Sequence, residues 1–197
     1  MARTVDPQRH EARRLQIIDA ALTVFAARGY AEATTARICR QAGIGSGTFF
    51  HYFPTKLSVL LAILTLGTAE AGELAGRLEG RTDALAVVHE IIDHALADAA
   101  DPRLAGFVRA VGGVLAEPPV AQALADDDDA QHSLIRTWVA RAQEAGQVRE
   151  DMRPERLSSW VQVLLGGFLD RAAVDPRFTG AAEGGVLHDT VDRFLRG

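Results

Sequence analysis

The segment from Thr34 to Leu57, TTARICRQAGIGSGTFFHYFPTKL, constrains the fold more than any other part of this chain. Thr34 or Thr35 is suited to cap a first short helix. Gly43 supplies the turn after it, because glycine adopts backbone conformations that other residues avoid. A second helix is predicted from about Ser46 to Tyr52. Two short helices joined by such a turn form a helix-turn-helix, whose second helix enters the major groove of DNA.

The same segment resembles the signature of the TetR (tetracycline-repressor-like) family of transcriptional regulators. The resemblance covers roughly residues 13–61 and centres on the run GIGSGTFFHYFPTK. Ser46 and Phe50 differ from the family pattern, which usually has a basic residue and a tyrosine at these positions. The residues in register with the pattern are Gly43, Gly47, Phe49, Tyr52, Phe53 and Lys56.

Apolar residues recur at helical spacing along almost the whole chain, and no run shows the alternation of a β-strand. The first helix should end near Gly29, and a long helix should start after Thr55 and bend or break near Gly67, Gly72 and Gly76. Later helices are predicted at about 83–99, 102–115, 120–146, 154–174 and 185–195. The run Asp126–Asp129 leaves open whether the segment 120–146 forms one helix or two.

The fold is therefore predicted to be all-α. The resemblance implies an N-terminal three-helix DNA-binding head at residues 11–56, with the helix-turn-helix at about 34–53. It implies that residues 57–197 form a helical domain for regulation, ligand binding and dimerisation.

Charge is distributed unevenly along the chain, whose net charge is −5. Residues 1–56 hold eight basic and four acidic side chains, a balance of +4, so the remainder carries −9. A basic end on an acidic body fits a protein that contacts phosphates with one end and keeps the other end off DNA.

The second helix of the motif and its flanks supply the candidate DNA contacts. Thr48 offers a hydroxyl and a methyl group to a phosphate or a thymine. Tyr52 and Lys56 are placed for phosphate contacts, which fix register without reading sequence. Arg3 and Arg9 are further candidates, unless they belong to a disordered tail. The predicted set is Thr35, Arg37, Ser46, Gly47, Thr48, Phe50, His51, Tyr52 and Lys56, and the alternative for each is a plain surface position.

Family resemblance implies a dimer formed by the last two long helices and a ligand pocket in the helices between them and the head. The predicted dimer contacts are Leu164, Phe168, Leu187, Val191 and Phe194. The predicted pocket lining is Leu64, Leu85, Val88, His89, Ile92, Leu96, Phe107, Val111, Leu115, Trp138 and Trp160. Packing inside one protomer is the alternative for both sets.

Other functions find little support in the residues. The single cysteine, Cys39, allows no internal disulfide, which favours a cytoplasmic location. Apolar stretches such as Val59–Leu66 are shorter than the ~20 residues that span a bilayer, so no membrane partner is expected. His89 and Asp93 share a helix face without a third metal ligand, so no metal or cofactor is expected. No nucleophile elbow or phosphate-binding loop indicates an enzyme.

The sequence is therefore interpreted as a homodimeric DNA-binding regulator. The preferred reading is a repressor that a small hydrophobic effector releases from a palindromic double-stranded operator. One alternative is a regulator of the same fold without a small-molecule effector. The other is a helical interaction protein whose head has lost DNA binding.

Overall fold

The computed structural model describes residues 6–197, and within this range the regular structure is helical throughout. Arg3 lies outside the described residues. The helices are α1 (Pro7–Glu32), α2 (Thr35–Ala42), α3 (Ser46–Tyr52), α4 (Lys56–Leu78), α5 (Ala84–Asp98), α6 (Leu104–Gly112), α7 (Pro118–Glu144), α8 (Pro154–Val174) and α9 (Gly180–Arg196). The all-α prediction is confirmed.

The chain divides into two compact units. The first combines the described residues up to Gly67 with Ala105–Leu124, and the second combines Thr68–Leu104 with Ala125–Gly197. Each unit therefore contains two separate stretches of sequence. The boundary predicted between residues 56 and 57 falls inside the first unit, at the start of α4.

The helix-turn-helix forms where local sequence signals predicted it. Thr34 caps α2 by accepting a hydrogen bond from the Arg37 backbone N–H at 3.3 Å. Gly43 ends the helix in the left-handed region, with φ 64° and ψ 35°. That conformation costs other residues free energy, whereas glycine adopts it readily.

A second polar contact fixes the end of α2 against α1. The Gln16 side chain donates a hydrogen bond from Nε2 to the Ala42 backbone oxygen at 2.7 Å. Carbonyls in the last turn of a helix have no partner within that helix, so this contact satisfies one of them. The same bond holds α2 on the surface of α1.

The core of the first unit collects apolar side chains from α1 to α4 and from α6. Ile17, Phe25, Ile38 and Phe49 are fully buried there. Helix α6 also makes a close backbone approach: a Cβ added at Gly106 would lie 2.3 Å from the backbone oxygen of Ala26 on α1. Only glycine permits this spacing between the two helices.

The core of the second unit is built from the rest of α4 together with α5 and α7 to α9. Its fully or almost fully buried side chains include Val87, Ile92, Ile135, Leu157 and Leu195. The one fully buried polar side chain described is Ser158, whose hydroxyl donates to the Glu155 backbone oxygen and contacts His132 Nε2 at 3.0 Å. The serine is therefore satisfied inside an apolar core.

Helix α4 runs without interruption from Lys56 to Leu78, so the predicted break at its glycines is wrong, whereas a bend there stays a prediction. Its start is capped reciprocally: Ser58 N–H donates to Thr55 Oγ1 at 3.0 Å, and Thr55 N–H donates to Ser58 Oγ at 3.1 Å. Buried residues such as Leu60 and Leu74 place the helix in a core at both ends. Burial of these side chains outweighs the weak helix propensity of three glycines.

Helix α4 is also the one described helix that is long and apolar enough to cross a membrane by length and composition alone. Its most apolar window has a mean hydropathy of 1.5, and 28% of that window is buried. The prediction from sequence rested on the uninterrupted apolar stretch Val59–Leu66, which is shorter than the helix as a whole.

Helix α7 begins at Pro118, two residues before the predicted start, and continues through the acidic run to Glu144. Asp127 explains why the run does not break the helix. Its carboxylate accepts hydrogen bonds from the Thr68 hydroxyl at 3.3 Å and from Gln131 Nε2 at 2.8 Å. Burial raises the pKa of Asp127, which these two hydrogen bonds oppose. The alternative of two shorter helices is therefore wrong.

Two further boundaries differ from the prediction. Helix α6 ends at Gly112 rather than near Leu115, and α9 begins at Gly180 rather than near Gly185. Thr179 explains the early start of α9, because its hydroxyl accepts a hydrogen bond from the Ala182 backbone N–H at 3.2 Å. Prediction from apolar spacing missed this cap because the first turn of α9 is composed of small and polar residues.

The close contact at Gly106 gives a test of the first unit's packing. We expect Gly106→Ala to lower the free energy of unfolding by about 2–3 kcal/mol, because the methyl group meets backbone atoms that cannot rotate away. Gly112→Ala in the same helix is the control, since an added Cβ there has no neighbour within 4 Å. Thermal unfolding measures both, and equal midpoints for the two variants would contradict the packing described.

Candidate DNA-binding site

Helix α3 presents its polar side chains to solvent and its aromatic anchors to the core. Thr48 and His51 are exposed, whereas Phe49 is fully buried. Phe50 is 52% exposed beside them and contacts Phe49 edge-on, with ring centroids 5.4 Å apart. An exposed phenylalanine among polar residues suits apolar contact with a thymine methyl group.

The start of α1 packs on the end of α3. The ring of His10 lies 4.6 Å from the ring of Tyr52 and 6.2 Å from that of His51, measured between centroids. Sequence analysis did not select His10, because nothing local in the sequence connects it to residues some forty positions later. It adds a third ring to the exposed side of the motif.

Other predicted contact residues lie around α3. Ser46 and Gly47 are exposed at its first turn, Arg37 is exposed on α2, and Thr35 is half-buried. Arg9 is exposed in the first turn of α1 and lies 3.8 Å from Asp6 in an ion pair. Because the pair is exposed, it leaves Arg9 free to exchange the carboxylate for another anion.

Lys56 points into the first unit rather than straight out to solvent. Its ammonium donates hydrogen bonds to the backbone oxygens of Tyr30 at 2.6 Å and Ala33 at 2.9 Å. The same nitrogen lies 4.1 Å from the centre of the Tyr30 ring, and burial lowers the pKa of the amine. Two of the three ammonium N–H groups are therefore used within the protein, which leaves one for a phosphate.

The segment that forms this site is similar in sequence to known regulatory proteins. Residues 17–63 match the profile described as bacterial regulatory proteins, tetR family. The regulator SrpR of Pseudomonas putida is 45% identical over 64 residues, which are 32% of this chain and 30% of SrpR. The repressor Rv1474c of Mycobacterium tuberculosis is 28% identical and aligns over 82% of this chain and 83% of its own.

The match identifies residues 17–63 as a TetR-family DNA-binding segment. The fold of the chain resembles solved structures over nearly its whole length. The SmeT–triclosan complex superposes with a TM-score of 0.80 at 21% sequence identity, covering 94% of this chain and 92% of SmeT. At that identity the likeness concerns the fold alone. The stretch shared with SrpR spans less than a third of SrpR.

The predicted ligand-pocket residues of this chain are mostly core. Leu115 and Trp160 are 51% and 48% exposed and therefore face solvent instead of a cavity. Leu64, Phe107 and Val111 pack in the core of the first unit. The remaining six, Leu85, Val88, His89, Ile92, Leu96 and Trp138, belong to the second unit, where His89 is half-buried and engaged by polar partners.

The second unit contains an open groove between α4 and α7, with a volume of about 530 Å³. Trp138 is the residue it shares with the predicted pocket. Small side chains of α4 form one wall, and the Arg141 guanidinium lies 4.4 Å from the centre of the Trp138 ring on the other. The lining is Thr68, Ala71, Gly72, Ala75, Gly76, Glu79, Ala130, Ser133, Leu134, Thr137, Trp138 and Arg141. Sequence analysis missed it because small residues carry no apolar pattern.

The predicted dimer contacts divide between core and surface. Phe168, Leu187 and Val191 are buried within the protomer, and Phe168 and Leu187 also line an open groove between α8 and α9, so their place in an interface stays a prediction. Leu164 and Phe194 are half-buried. The apolar side chains that α8 and α9 leave exposed are instead Trp160, Val163, Val174 and Val186, with exposures of 48%, 59%, 72% and 62%.

One group of potential metal ligands differs from the pair considered in the sequence. Ligand atoms of Glu70, His94 and Asp98 lie within 4.8 Å of one another in the second unit. His94 Nε2 is buried and makes no described hydrogen bond. The two carboxylates are exposed, so water solvates them without an ion. His89 and Asp93, the pair considered in the sequence, both contact His188 on α9.

The inward position of Lys56 predicts a structural effect of its removal. We expect Lys56→Met to lower the stability of the first unit by about 2 kcal/mol, because two carbonyls lose a charged donor while the apolar stem is kept. Arg37→Met, at an exposed basic position of α2, should leave thermal unfolding nearly unchanged. If the Lys56→Met protein had the same thermal unfolding midpoint as the wild type, the ammonium would not contribute to the stability of the fold.

Proposed function

We propose that this protein is a homodimeric repressor of the TetR family that binds a palindromic DNA operator and releases it when a small molecule occupies the second unit. The observation that carries the DNA-binding part is the exposed face of α3, held on a buried aromatic anchor and flanked by basic residues. The Rv1474c relative, described as a transcriptional repressor, supports the sign of regulation. A cytoplasmic location follows from such a role.

The candidate DNA residues take different roles in this proposal. Thr48, Phe50 and His51 lie exposed on α3 and face the major groove, where they read base edges and thymine methyl groups. Ser46 and Gly47 lie at the first turn of α3, where small residues let the backbone approach the duplex. Thr35, Arg37, Tyr52 and Lys56 contact phosphates and set the register.

The groove between α4 and α7 is the proposed effector site. Its volume of about 530 Å³ suits a small organic molecule. An aromatic ring, an arginine and several hydroxyl groups in the lining favour a partly apolar ligand with a polar group. The bound triclosan of the fold neighbour SmeT is a small molecule of this general kind. The effector shifts DNA binding only by its differential affinity for the two states, typically ~1–3 kcal/mol.

DNA binding is tested with the full-length protein and DNA fragments tiled from both sides of its own gene. Fluorescence anisotropy is measured with excess nonspecific competitor at two salt concentrations. We expect tight, salt-dependent binding to one palindromic fragment, because phosphate contacts release counterions. Equal binding to every fragment would support a nonspecific DNA binder. Binding to none, repeated with fragments selected from random sequence, would favour the alternative of an interaction protein.

The role of α3 is tested on the fragment so identified. Thr48→Ala should weaken binding by about 1–3 kcal/mol and relax the preference at one base pair, because a base contact carries sequence information. Arg37→Ala is the control for a phosphate contact: it should weaken all sequences about equally and lower the salt slope by about one. The same uniform loss for both variants would remove Thr48 from the set of base-reading residues.

The dimer proposal is moved to the exposed apolar residues of α8 and α9. A groove there is lined by Val163, Gly167, Phe178, Val186 and Thr190 among others. Two DNA-binding heads must lie about 34–36 Å apart to read successive turns of a palindrome, and two protomers supply them. A four-helix contact through these residues would cover side chains that are otherwise left in water.

Val163→Arg tests the interface without disturbing the protomer core. Because Val163 is 59% exposed in the protomer, we expect the variant to fold and to sediment as a monomer. Val108→Arg places the same charge at a valine of α6 that is 45% exposed, and it should stay dimeric. A dimeric Val163→Arg protein would move the interface to another surface.

A further inference from the structure

Two histidines from different helices meet in the second unit, each with a carboxylate on the far side of its ring. His89 on α5 and His188 on α9 face each other with their Nδ1 atoms 2.7 Å apart. His89 Nε2 lies 3.0 Å from Asp192 Oδ1, and His188 Nε2 lies 2.7 Å from Asp93 Oδ1. About a quarter of each histidine side chain is exposed. The four groups form one continuous chain of polar contacts.

Counting protons shows what this chain of contacts requires. An ionised carboxylate only accepts hydrogen bonds, so each histidine must carry a proton on Nε2 to bond its aspartate. The contact between the two Nδ1 atoms needs a further proton, because two lone pairs cannot bond each other. Three contacts therefore need three protons, whereas two neutral imidazoles carry two. The arrangement fits one imidazole and one imidazolium.

Other protonation states leave a contact unsatisfied. With two protons, one ring nitrogen directs a lone pair at a carboxylate oxygen or at the other lone pair. With four protons, two N–H groups point at each other across 2.7 Å. Polar groups that are partly buried and face a like group cost free energy, because little water is present to separate them. The three-proton state is the one that satisfies every contact.

The charges of the surrounding groups favour the same state. The charged groups that the described contacts place against the pair are Asp93 on α5, and Asp192 and Arg196 on α9. Arg196 Nε donates to Asp192 Oδ2 at 2.8 Å. Burial would raise the pKa of Asp192, but hydrogen bonds from His89 and Arg196 outweigh it and keep that pKa below its usual value. Two carboxylates, one guanidinium and one imidazolium sum to zero.

We propose that His89 and His188 bind a single shared proton, which fastens α9 to α5. The two helices pack tightly beside this site: a Cβ added at Gly184 on α9 would lie 3.1 Å from Leu96 Cδ1 on α5. Loss of the shared proton leaves the lone pairs of the two Nδ1 atoms facing each other. Gain of a second proton leaves two N–H groups facing each other. Each change loosens the contact between the helices, which makes the second unit responsive to pH on both sides of an optimum.

The proton also connects pH to the surface proposed for dimerisation. Val186, exposed on that surface, is two residues from His188 on α9. A change in the position of α9 would therefore shift the apolar face. This consequence rests on the proposed dimer, whereas the proton site itself does not. Spectroscopy of the histidines tests the proton site, and sedimentation tests the dimer. Either result can contradict its own proposal without affecting the other.

The shared proton is tested by NMR on the full-length protein with ¹⁵N-labelled histidine, purified with a chelator. We expect a scalar coupling across the hydrogen bond between Nδ1 of His89 and Nδ1 of His188. Titration from about pH 5 to about pH 9 brackets the range in which histidines change charge. The resonances of both rings should report the same two steps, because coupled groups titrate as a pair. No coupling, with an independent single step for each ring, would overturn the proposal.

A variant gives a second readout that does not depend on assigning the spectra. His188→Gln keeps an amide donor toward Asp93 and removes the Nδ1 partner of His89. The wild-type thermal midpoint should fall by about 3–6 °C as rising pH removes the shared proton, and the variant should lack that fall. His51→Gln is the matched control and should keep the wild-type profile. Identical pH profiles for the wild type and His188→Gln would show that no proton is held between the rings.

Discussion

The half-buried ammonium group of Lys56 holds together two parts of the backbone that flank the DNA-binding motif. Lys56 is the first residue of α4, and its Nζ holds the carbonyls of Tyr30 and Ala33 where the chain leaves α1. Ala33 directly precedes Thr34, the cap of α2. The entry to α2 and the exit from α3 are therefore fixed to each other by a single cation. A side chain without a hydrogen-bond donor cannot replace it, because those carbonyls would lose their partner.

The helix-turn-helix was predictable because its signals are local. Thr34 has a side chain that caps a helix, and Gly43 adopts a conformation that few other residues accept. Phe49 is in register with the family pattern, and the structure buries it fully in the core of the first unit. What the sequence could not reveal is the direction of Lys56. Its partners lie more than twenty residues away, and the charge alone favours a phosphate equally well.

The long helices show where local propensity loses to packing. Glycines in α4 and four consecutive aspartates in α7 each argued for an interruption, yet both helices are continuous. In α7, Asp127 accepts hydrogen bonds from Thr68 and Gln131, which offset part of the repulsion from neighbouring Asp128. The same limit applies to α8, where the apolar pattern does not distinguish buried Phe168 from exposed Val163. That choice depends on which neighbours cover each face.

The uneven charge favours phosphate contacts through the first unit. In the second unit, burial and the nearby carboxylate of Asp98 raise the pKa of Glu70, because acidic groups lie close together there. Such a surface repels phosphates. The slope of the logarithm of the binding constant against the logarithm of the salt concentration is proportional to the number of phosphates that a protein neutralises. We therefore expect the salt slope of the intact chain to report mainly on the head, so that single charge changes there can be measured without separating the two units.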